Sequence, residues 1–247
     1  MGNYINLVFI IDESGSMYGS ENDIVGGFNK LVEEQRAIED GKCTVSLYTF
    51  NECVSERFLG KDVSEVKKLY KGEFSFYKSS SDDYIIPEKD LYEYIPNGGT
   101  AMNDGIGKAI DNVGEWLRQM PEEERPTKNL IVIMTDGEEN SSRTYSLERV
   151  QEMIKHQTEK YSWSFVYMGM DITNKKSAED LGIQSRSFSA KRSGNIQNSY
   201  DLISSSLSLY RNCADITTAE ATMDCFMATS LNEMTTNYEK EKGIKID

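Results

Sequence analysis

The sequence has very few of the residues that build zinc sites, disulfide scaffolds or histidine-dependent active sites. It contains one histidine, His156, and four cysteines, none of which forms a CxxC pair. A chain of 247 residues can bury a core large enough to make disulfide staples unnecessary. We therefore expect reduced cysteines in a cytoplasmic protein. Beyond the lone His156, which we expect on the surface of a helix, the sequence also offers no candidate for a Ser-His-Asp set.

Basic residues and long apolar runs are also scarce. Lys and Arg number 27 against 41 Asp and Glu, which gives a formal net charge of −14. This balance repels phosphate backbones and anionic lipids, so we expect neither nucleic-acid nor membrane-surface binding. No apolar stretch approaches the length of a membrane span. The first apolar run is short and follows no basic region, so we interpret it as a strand and not as a signal peptide.

Apolar runs of strand length alternate along the chain with segments of helical periodicity. The nearly continuous apolar run Asn6–Ile11 is typical of a strand buried on both faces. The alternation predicts a Rossmann-like, doubly wound α/β fold with a mostly parallel sheet and helices on both faces. Residues Cys53–Leu59 can pair with the strand Cys43–Phe50 as a hairpin, which predicts one antiparallel edge strand. The other predicted elements are strands at Asn129–Met134, Ser164–Met168 and Ser187–Ala190, and helices at Asp23–Glu39, Met102–Leu117, Ser146–Glu159, Lys175–Leu181 and Ile196–Tyr210.

The composition divides the chain into one domain and a tail. We expect the domain over residues 1–212, with an irregular insertion at about 73–92, and a C-terminal helical extension over 213–247. The spacing of Val63, Val66 and Leu69 predicts a short helix before the insertion. An apolar stripe in the extension has two interpretations: it docks a partner, or it folds back on its own domain. The stripe consists of Met223, Phe226, Met227, Leu231 and Met234.

Side chains with oxygen donors follow two of the predicted strands. Asp12 ends the first strand and Asp136 ends a later one. Ligands of a doubly wound sheet lie beyond the carboxyl ends of its strands, at the switch point of the strand order. If these two strands flank that point, both carboxylates are expected at one crevice. Ser14 and Ser16 follow Asp12 on the same loop, and Thr100 precedes a predicted helix.

These five residues supply two carboxylates and three hydroxyls, which is an all-oxygen set of donors. Such hard ligands suit Mg²⁺, and also Mn²⁺ or Ca²⁺, and no neighbouring cysteine or histidine favours zinc. A simpler interpretation of Asp12, Ser14 and Ser16 alone is a polar turn that caps the next helix. The neighbouring Glu138 and Glu139 are interpreted as a solvated acidic rim.

The five residues occur in the order of a known motif: Asp12-x-Ser14-x-Ser16, then Thr100, then Asp136-Gly137. This order resembles the metal-ion-dependent adhesion site, or MIDAS, of von Willebrand factor type A domains. The segment Tyr94–Ile106 is similar to the threonine-bearing loop of intracellular bacterial and phage members of that family. The resemblance covers about residues 4–210. The serine motif alone is a weak signal, but together with the strand before it, the threonine-bearing loop and Thr135-Asp136-Gly137 it is a specific one.

The resemblance implies a role for each residue. Ser14 and Ser16 would bind Mg²⁺ directly, and Thr100 would bind it directly or through water. Asp12 and Asp136 would act largely through ordered waters and hydrogen bonds. Because the direct ligands are neutral hydroxyls, the cation keeps much of its charge and attracts a carboxylate from outside. The implied function is a non-enzymatic, metal-dependent module that binds a protein partner through an exposed Glu or Asp.

Two other functions are compatible with the same residues. The chain could be a non-catalytic subunit of a larger ATPase-type assembly, which the family resemblance allows but does not select. It could also be a phosphatase-like hydrolase with Asp12 as the nucleophile. Such an enzyme usually has a second Asp two residues further on as its acid and base, and this chain has Ser14 there.

Overall fold

A six-stranded sheet with helices on both faces forms the centre of the protein. The computed structural model describes residues 3–72, 77–78, 84–85, 92–136, 138–169, 175–183, 187–189, 196–213 and 215–227. The strands are β1 (Tyr4–Asp12), β2 (Lys42–Phe50), β3 (Val54–Asp62), β4 (Tyr70–Lys71), β5 (Tyr77–Lys78), β6 (Tyr84–Ile85), β7 (Glu93–Tyr94), β8 (Lys128–Thr135), β9 (Trp163–Gly169) and β10 (Ser187–Ser189). The helices are α1 (Glu21–Arg36), α2 (Met102–Gln119), α3 (Leu147–Tyr161), α4 (Lys175–Asp180), α5 (Ile196–Asn212) and α6 (residues 216–227).

The sheet has the order β10-β9-β8-β1-β2-β3. Neighbouring strands within it pair in parallel, except that β3 runs antiparallel to β2 at one edge. This confirms the predicted mostly parallel α/β sheet with one antiparallel edge strand. Strand β1 lies between β2 and β8, so the strand order reverses there and the ends of β1 and β8 are neighbours.

Strand β1 is buried along all nine of its residues because helices cover both of its faces. Successive side chains of a strand point to opposite faces, so β1 contributes to two separate cores. Leu7 and Phe9 pack in the core that also contains residues of α1, α5 and α6. Val8 and Ile10 pack in the core that contains residues of α2 and α3. The continuous apolar run in the sequence therefore reflects burial on both sides of the sheet.

The predicted short helix before the insertion is wrong beyond its first turn. Residues Val63–Glu65 form a single 3₁₀ turn, and the chain then runs on to β4. Val63, Val66 and Leu69 are all buried, so their spacing reports burial and not helical periodicity. The Asn29 side chain accepts a hydrogen bond from Leu69 N at 2.7 Å and donates one to Leu69 O at 2.8 Å. These two bonds satisfy backbone groups that a helix would have paired internally.

Helix α6 packs on the domain that precedes it. Met223 and Met227 are buried in the same core as residues of α1 and α5. This part of the apolar stripe therefore faces its own domain, in agreement with one of the two interpretations. Leu231 and Met234 lie outside the described residues, as does most of the insertion at 73–92. The domain limits at residues 212 and 213 stay a prediction.

The four cysteines are all free thiols in this structure. Cys43 is buried, and burial raises the pKa of its thiol to about 12, so it stays protonated at neutral pH. Cys53 and Cys225 are exposed. Among the helices that the structure describes, none is long and apolar enough to cross a membrane.

We predict that Gly27→Ala destabilises the protein, because α1 and α5 pack without free space at this residue. A Cβ atom at Gly27 would lie 2.1 Å from ring carbons of the buried Tyr200. Overpacking of this kind costs about 1–3 kcal/mol, which urea denaturation would measure. The control is Gly26→Ala, where a Cβ meets nothing within 4 Å. Alanine favours the helix there, so stability should stay equal or rise by up to about 1 kcal/mol. Equal losses in the two variants would contradict the prediction.

Candidate metal centre

The parallel pairing of β1 with β8 brings two aspartates to the same edge of the sheet. Asp12 is the last residue of β1, and Asp136 directly follows β8. Asp12 is fully buried, and each of its carboxylate oxygens accepts a hydrogen bond. Ser14 N donates to Asp12 Oδ1 at 2.7 Å, and the Thr135 hydroxyl donates to Asp12 Oδ2 at 2.6 Å. The Asp12 side chain is therefore fixed in one orientation.

The hydroxyls of the two serines form a hydrogen-bonded row of oxygen atoms with Asp136, next to Asp12. Residues 12–16 form a loop, called here the serine loop, whose last part enters a 3₁₀ turn at Gly15–Met17. The hydroxyl oxygens of Ser14 and Ser16 are 2.9 Å apart. The Ser16 hydroxyl donates to Asp136 Oδ1 at 2.6 Å. Ser14 is buried and Ser16 is exposed, so this row of oxygen atoms runs from the interior of the protein to its surface.

Residues 95–100, called here the threonine loop, lie against the serine loop. Gly15 N donates to Gly98 O at 3.0 Å, and Asn97 N donates to Glu13 O at 2.9 Å. A Cβ atom at Gly15 would lie 3.3 Å from Gly98 O, so the close approach favours glycine there. Thr100 is buried and follows Gly98 by two residues. The structure thus places the predicted threonine on a loop that is bonded to the serine loop through Glu13 and Gly15.

A third loop, which follows β8, encloses the backbone of Thr100. The Asn140 side chain accepts a hydrogen bond from Thr100 N at 2.8 Å. In return, Asn140 N and Ser141 N donate to Thr100 O at 3.0 and 3.2 Å. Asn140 and Ser141 were not among the residues predicted from the sequence to form the site. Asn and Ser commonly hold local turns through their side chains, which is the signal that could have found them.

Glu139 is not part of a solvated rim, and the sequence interpretation of this residue is wrong. Its carboxylate accepts hydrogen bonds from Asn103 N, Ser141 N, Ser142 N and the Ser142 hydroxyl at 2.7–2.9 Å. It therefore joins the loop after β8 to the start of α2. The neighbouring Glu138 is exposed, as expected for a rim residue.

The two aspartates are held by hydrogen bonds from neutral groups. Burial raises the pKa of Asp12, and hydrogen bonds from Ser14 and Thr135 oppose that shift. Burial also raises the pKa of Asp136, against the hydrogen bond from Ser16. Within the described part of the chain, no Lys or Arg forms an ion pair with either carboxylate. Bringing two such carboxylates together is unfavourable unless a positive charge accompanies them.

The donors fit a hard divalent cation. Hydroxyl and carboxylate oxygens are the ligands that Mg²⁺, Mn²⁺ and Ca²⁺ prefer. Over the residues that the structure describes, no cluster of three or more His, Cys, Asp or Glu could hold a metal. A thiolate, imidazole or carboxylate-rich cage is therefore absent from that part of the chain. A site here depends on the mixed set of Asp12, Ser14, Ser16, Thr100 and Asp136.

The fold and these loops define a known class of domain. The sequence profile of the von Willebrand factor type A domain matches residues 6–201. The chain therefore belongs to the von Willebrand factor type A domain family. Domains of this family commonly bind a metal ion at a MIDAS and mediate protein interactions.

Several known proteins are similar to parts of this chain. Human cochlin is 28% identical over 138 residues, which are 55% of this chain and 21% of cochlin. The PilB minor pilin of Streptococcus sanguinis superposes with a TM-score of 0.54 at 13% identity, over 84% of this chain and 62% of PilB. Proximal thread matrix protein 1 of the mussel byssus, solved with zinc in its MIDAS motif, superposes with a TM-score of 0.50 at 17% identity. This superposition covers 82% of this chain and 46% of proximal thread matrix protein 1. The two structural likenesses show the fold, and this chain spans only part of each relative.

We predict that Glu139→Ala lowers stability far more than Glu138→Ala does. Removing Glu139 leaves the backbone N–H groups of Asn103 and Ser142 and the Ser142 hydroxyl without this acceptor, while Ser141 N keeps only its bond to Thr100 O. The expected loss is about 1–3 kcal/mol in the free energy of unfolding. Loss of the exposed Glu138 should change it by less than about 0.5 kcal/mol. Chemical denaturation of the two variants measures both values, and similar values for the pair would refute the role given to Glu139.

Proposed function

We propose that this chain is a non-enzymatic, metal-dependent protein-binding module. Its site would hold one divalent cation with Asp12, Ser14, Ser16, Thr100 and Asp136, and Mg²⁺ would occupy it in cells. The bound cation would supply an open coordination position for a carboxylate oxygen of a partner protein. The observation that carries the proposal is the row of hydrogen bonds from the Ser14 hydroxyl through the Ser16 hydroxyl to Asp136, beside an Asp12 carboxylate that accepts from Ser14 N.

The roles of the individual residues follow from their burial and partners. Ser14 and Ser16 present neutral hydroxyl oxygens, which bind a cation without cancelling its charge. Asp12 and Asp136 orient those hydroxyls and keep the local potential negative. Four free cysteines, two of them exposed, support a cytoplasmic location, because exposed thiols persist in a reducing compartment.

The surroundings of Asp12 argue against a phosphoryl-accepting nucleophile. A nucleophilic carboxylate needs an oxygen that can reach the phosphorus atom of a substrate. Asp12 is fully buried, and both of its oxygens already accept hydrogen bonds. The proposed role for Asp12 is therefore to position the serine loop.

We predict that the protein binds one Mg²⁺ or Mn²⁺ ion with modest affinity, because the direct ligands are mostly neutral. Isothermal titration calorimetry measures the stoichiometry and the dissociation constant. Ser14→Ala should abolish binding, since it removes a direct ligand. The matched control is Ser20→Ala, at a helix N-cap where the side chain makes no capping hydrogen bond. If the wild type binds neither Mg²⁺ nor Mn²⁺ at millimolar concentration, the proposed metal site is wrong.

We predict that capture of the partner requires the cation and an acidic side chain. Pulldown from cell extract in Mg²⁺ and in excess chelator, compared by mass spectrometry, identifies proteins held only with metal. Thr100→Ala should weaken their capture, and Glu→Gln at the partner's contact should cost nearly as much as chelation. Equal capture in chelator would show that binding uses another face. An ATPase among the captured proteins would place the chain in an ATPase-type assembly.

We predict no turnover of phosphoesters, peptides or nucleotides by the purified chain. The basis is the burial of Asp12 and the presence of Ser14 where a phosphatase-like enzyme has its acid and base. Colorimetric and coupled assays at saturating Mg²⁺ would test this. Turnover that is lost in Asp12→Asn would overturn the non-enzymatic proposal.

A further inference from the structure

Glu13, the residue between Asp12 and Ser14, bonds to three other parts of the chain: the end of β2, the threonine loop and β3. Its backbone N donates to Phe50 O at 2.7 Å, and its backbone O accepts from Asn97 N at 2.9 Å. Its carboxylate Oε1 accepts from Ile95 N at 2.6 Å. Two of these bonds reach the threonine loop, so Glu13 fixes where that loop lies against the serine loop.

The second carboxylate oxygen of Glu13 forms a buried ion pair with Arg57. Arg57 Nη2 donates to Glu13 Oε2 at 2.8 Å, and both side chains are only 4% exposed. Arg57 lies on the edge strand β3, and its Nε donates to Thr49 Oγ1 at 2.8 Å. A charge buried to this degree requires a partner, so neither member tolerates loss of the other. Arg57 therefore holds the Glu13 carboxylate in the orientation that Ile95 N requires.

We infer that the Glu13–Arg57 ion pair is a positioning element for the metal site. It holds the threonine loop in register against the serine loop and thereby sets the affinity for the divalent cation. Neither residue touches the cation in this scheme, since both act through the backbone of residues 95–97. The inference rests on the proposed metal binding, and it adds two residues that the five-residue motif does not contain.

Electrostatics alone predicts the opposite result for Arg57→Met. That change leaves the Glu13 carboxylate without its positive partner, which makes the site more negative and should tighten cation binding. Loss of positioning should weaken binding, because Thr100 is no longer held beside the serine loop. The direction of the change in affinity therefore separates the two explanations.

The first experiment compares Mg²⁺ affinity in Arg57→Met and Lys128→Met by isothermal titration calorimetry. Lys128 is a matched control, because it is also a buried cation but lies at the opposite end of β8. Its ammonium donates to Tyr210 O, Arg211 O and Cys213 O, so its loss also destabilises the fold. We expect Arg57→Met to bind about 10-fold more weakly and Lys128→Met to match the wild type. Wild-type or tighter binding by Arg57→Met, or an equal loss in Lys128→Met, would overturn the inference.

A second comparison tests whether the ion pair acts through the threonine loop. In a Thr100→Ala background, Arg57→Met should have little further effect on Mg²⁺ affinity, whereas an undiminished effect would overturn the inference. Arg57→Lys keeps the charge but not the two-point geometry, so its affinity should be intermediate. If Arg57→Met does not fold, Arg57→Lys takes its place in the comparisons of Mg²⁺ affinity.

Amide hydrogen exchange without metal provides a readout that does not depend on binding. In Arg57→Met, or in Arg57→Lys, the amides of Ile95 and Asn97 should exchange faster, while those of Asn140 and Ser141 change less. If the wild type does not bind Mg²⁺, the proposed function fails, and exchange at Ile95 still decides whether the ion pair orders the loop. Unchanged exchange at Ile95 and Asn97 would refute the positioning role.

Discussion

The site depends on one constraint: the parallel pairing of β1 with β8 directs two carboxylates to the same point. Ile11 pairs with Met134, so the chains leave the sheet side by side at Asp12 and Asp136. Asp12 is buried and Asp136 is half-buried, so bringing the two carboxylates together opposes folding, and the sheet tolerates them because β1 is buried and bonded on both sides. The cost is also reduced locally, because hydroxyl and backbone N–H groups bond the carboxylates. Within the described residues, the partners of the two carboxylates are these neutral groups and not cationic side chains.

The three loops at this edge are held by each other more than by the sheet. Backbone bonds join the serine loop to the threonine loop, and the loop after β8 encloses Thr100 from the other side. Most of these bonds involve main-chain atoms, so the geometry depends on loop length and turn conformation. A substitution that displaces one of these loops should therefore displace the other two.

Much of the fold, and the meeting of the loops that carry the candidate metal ligands, could be predicted from the sequence, because both follow from local patterns. Buried strands are apolar runs, and each predicted donor lies directly beside such a run or at the start of a helix. The partners of Glu13 and Glu139 could not be predicted in this way. Arg57 meets Glu13 only because β2 and β3 pair with an irregular register between Val45 and Tyr48, which no local pattern encodes. The prediction of a helix near Val63 was wrong for the same reason. Distant elements bury the apolar residues there, and the spacing of those buried residues is the same as on one face of a helix.

The position of Arg57 on an edge strand has a thermal consequence. Within the part of the chain that the structure describes, strand β3 pairs on one side only, with β2, so it is among the parts of the sheet that can open without global unfolding. If Arg57 sets the position of the threonine loop, fraying of this edge would weaken cation binding below the melting temperature. The site would then respond to local opening of a strand that carries none of its ligands. Metal affinity measured as a function of temperature would detect the opening of β3 before the protein as a whole unfolds.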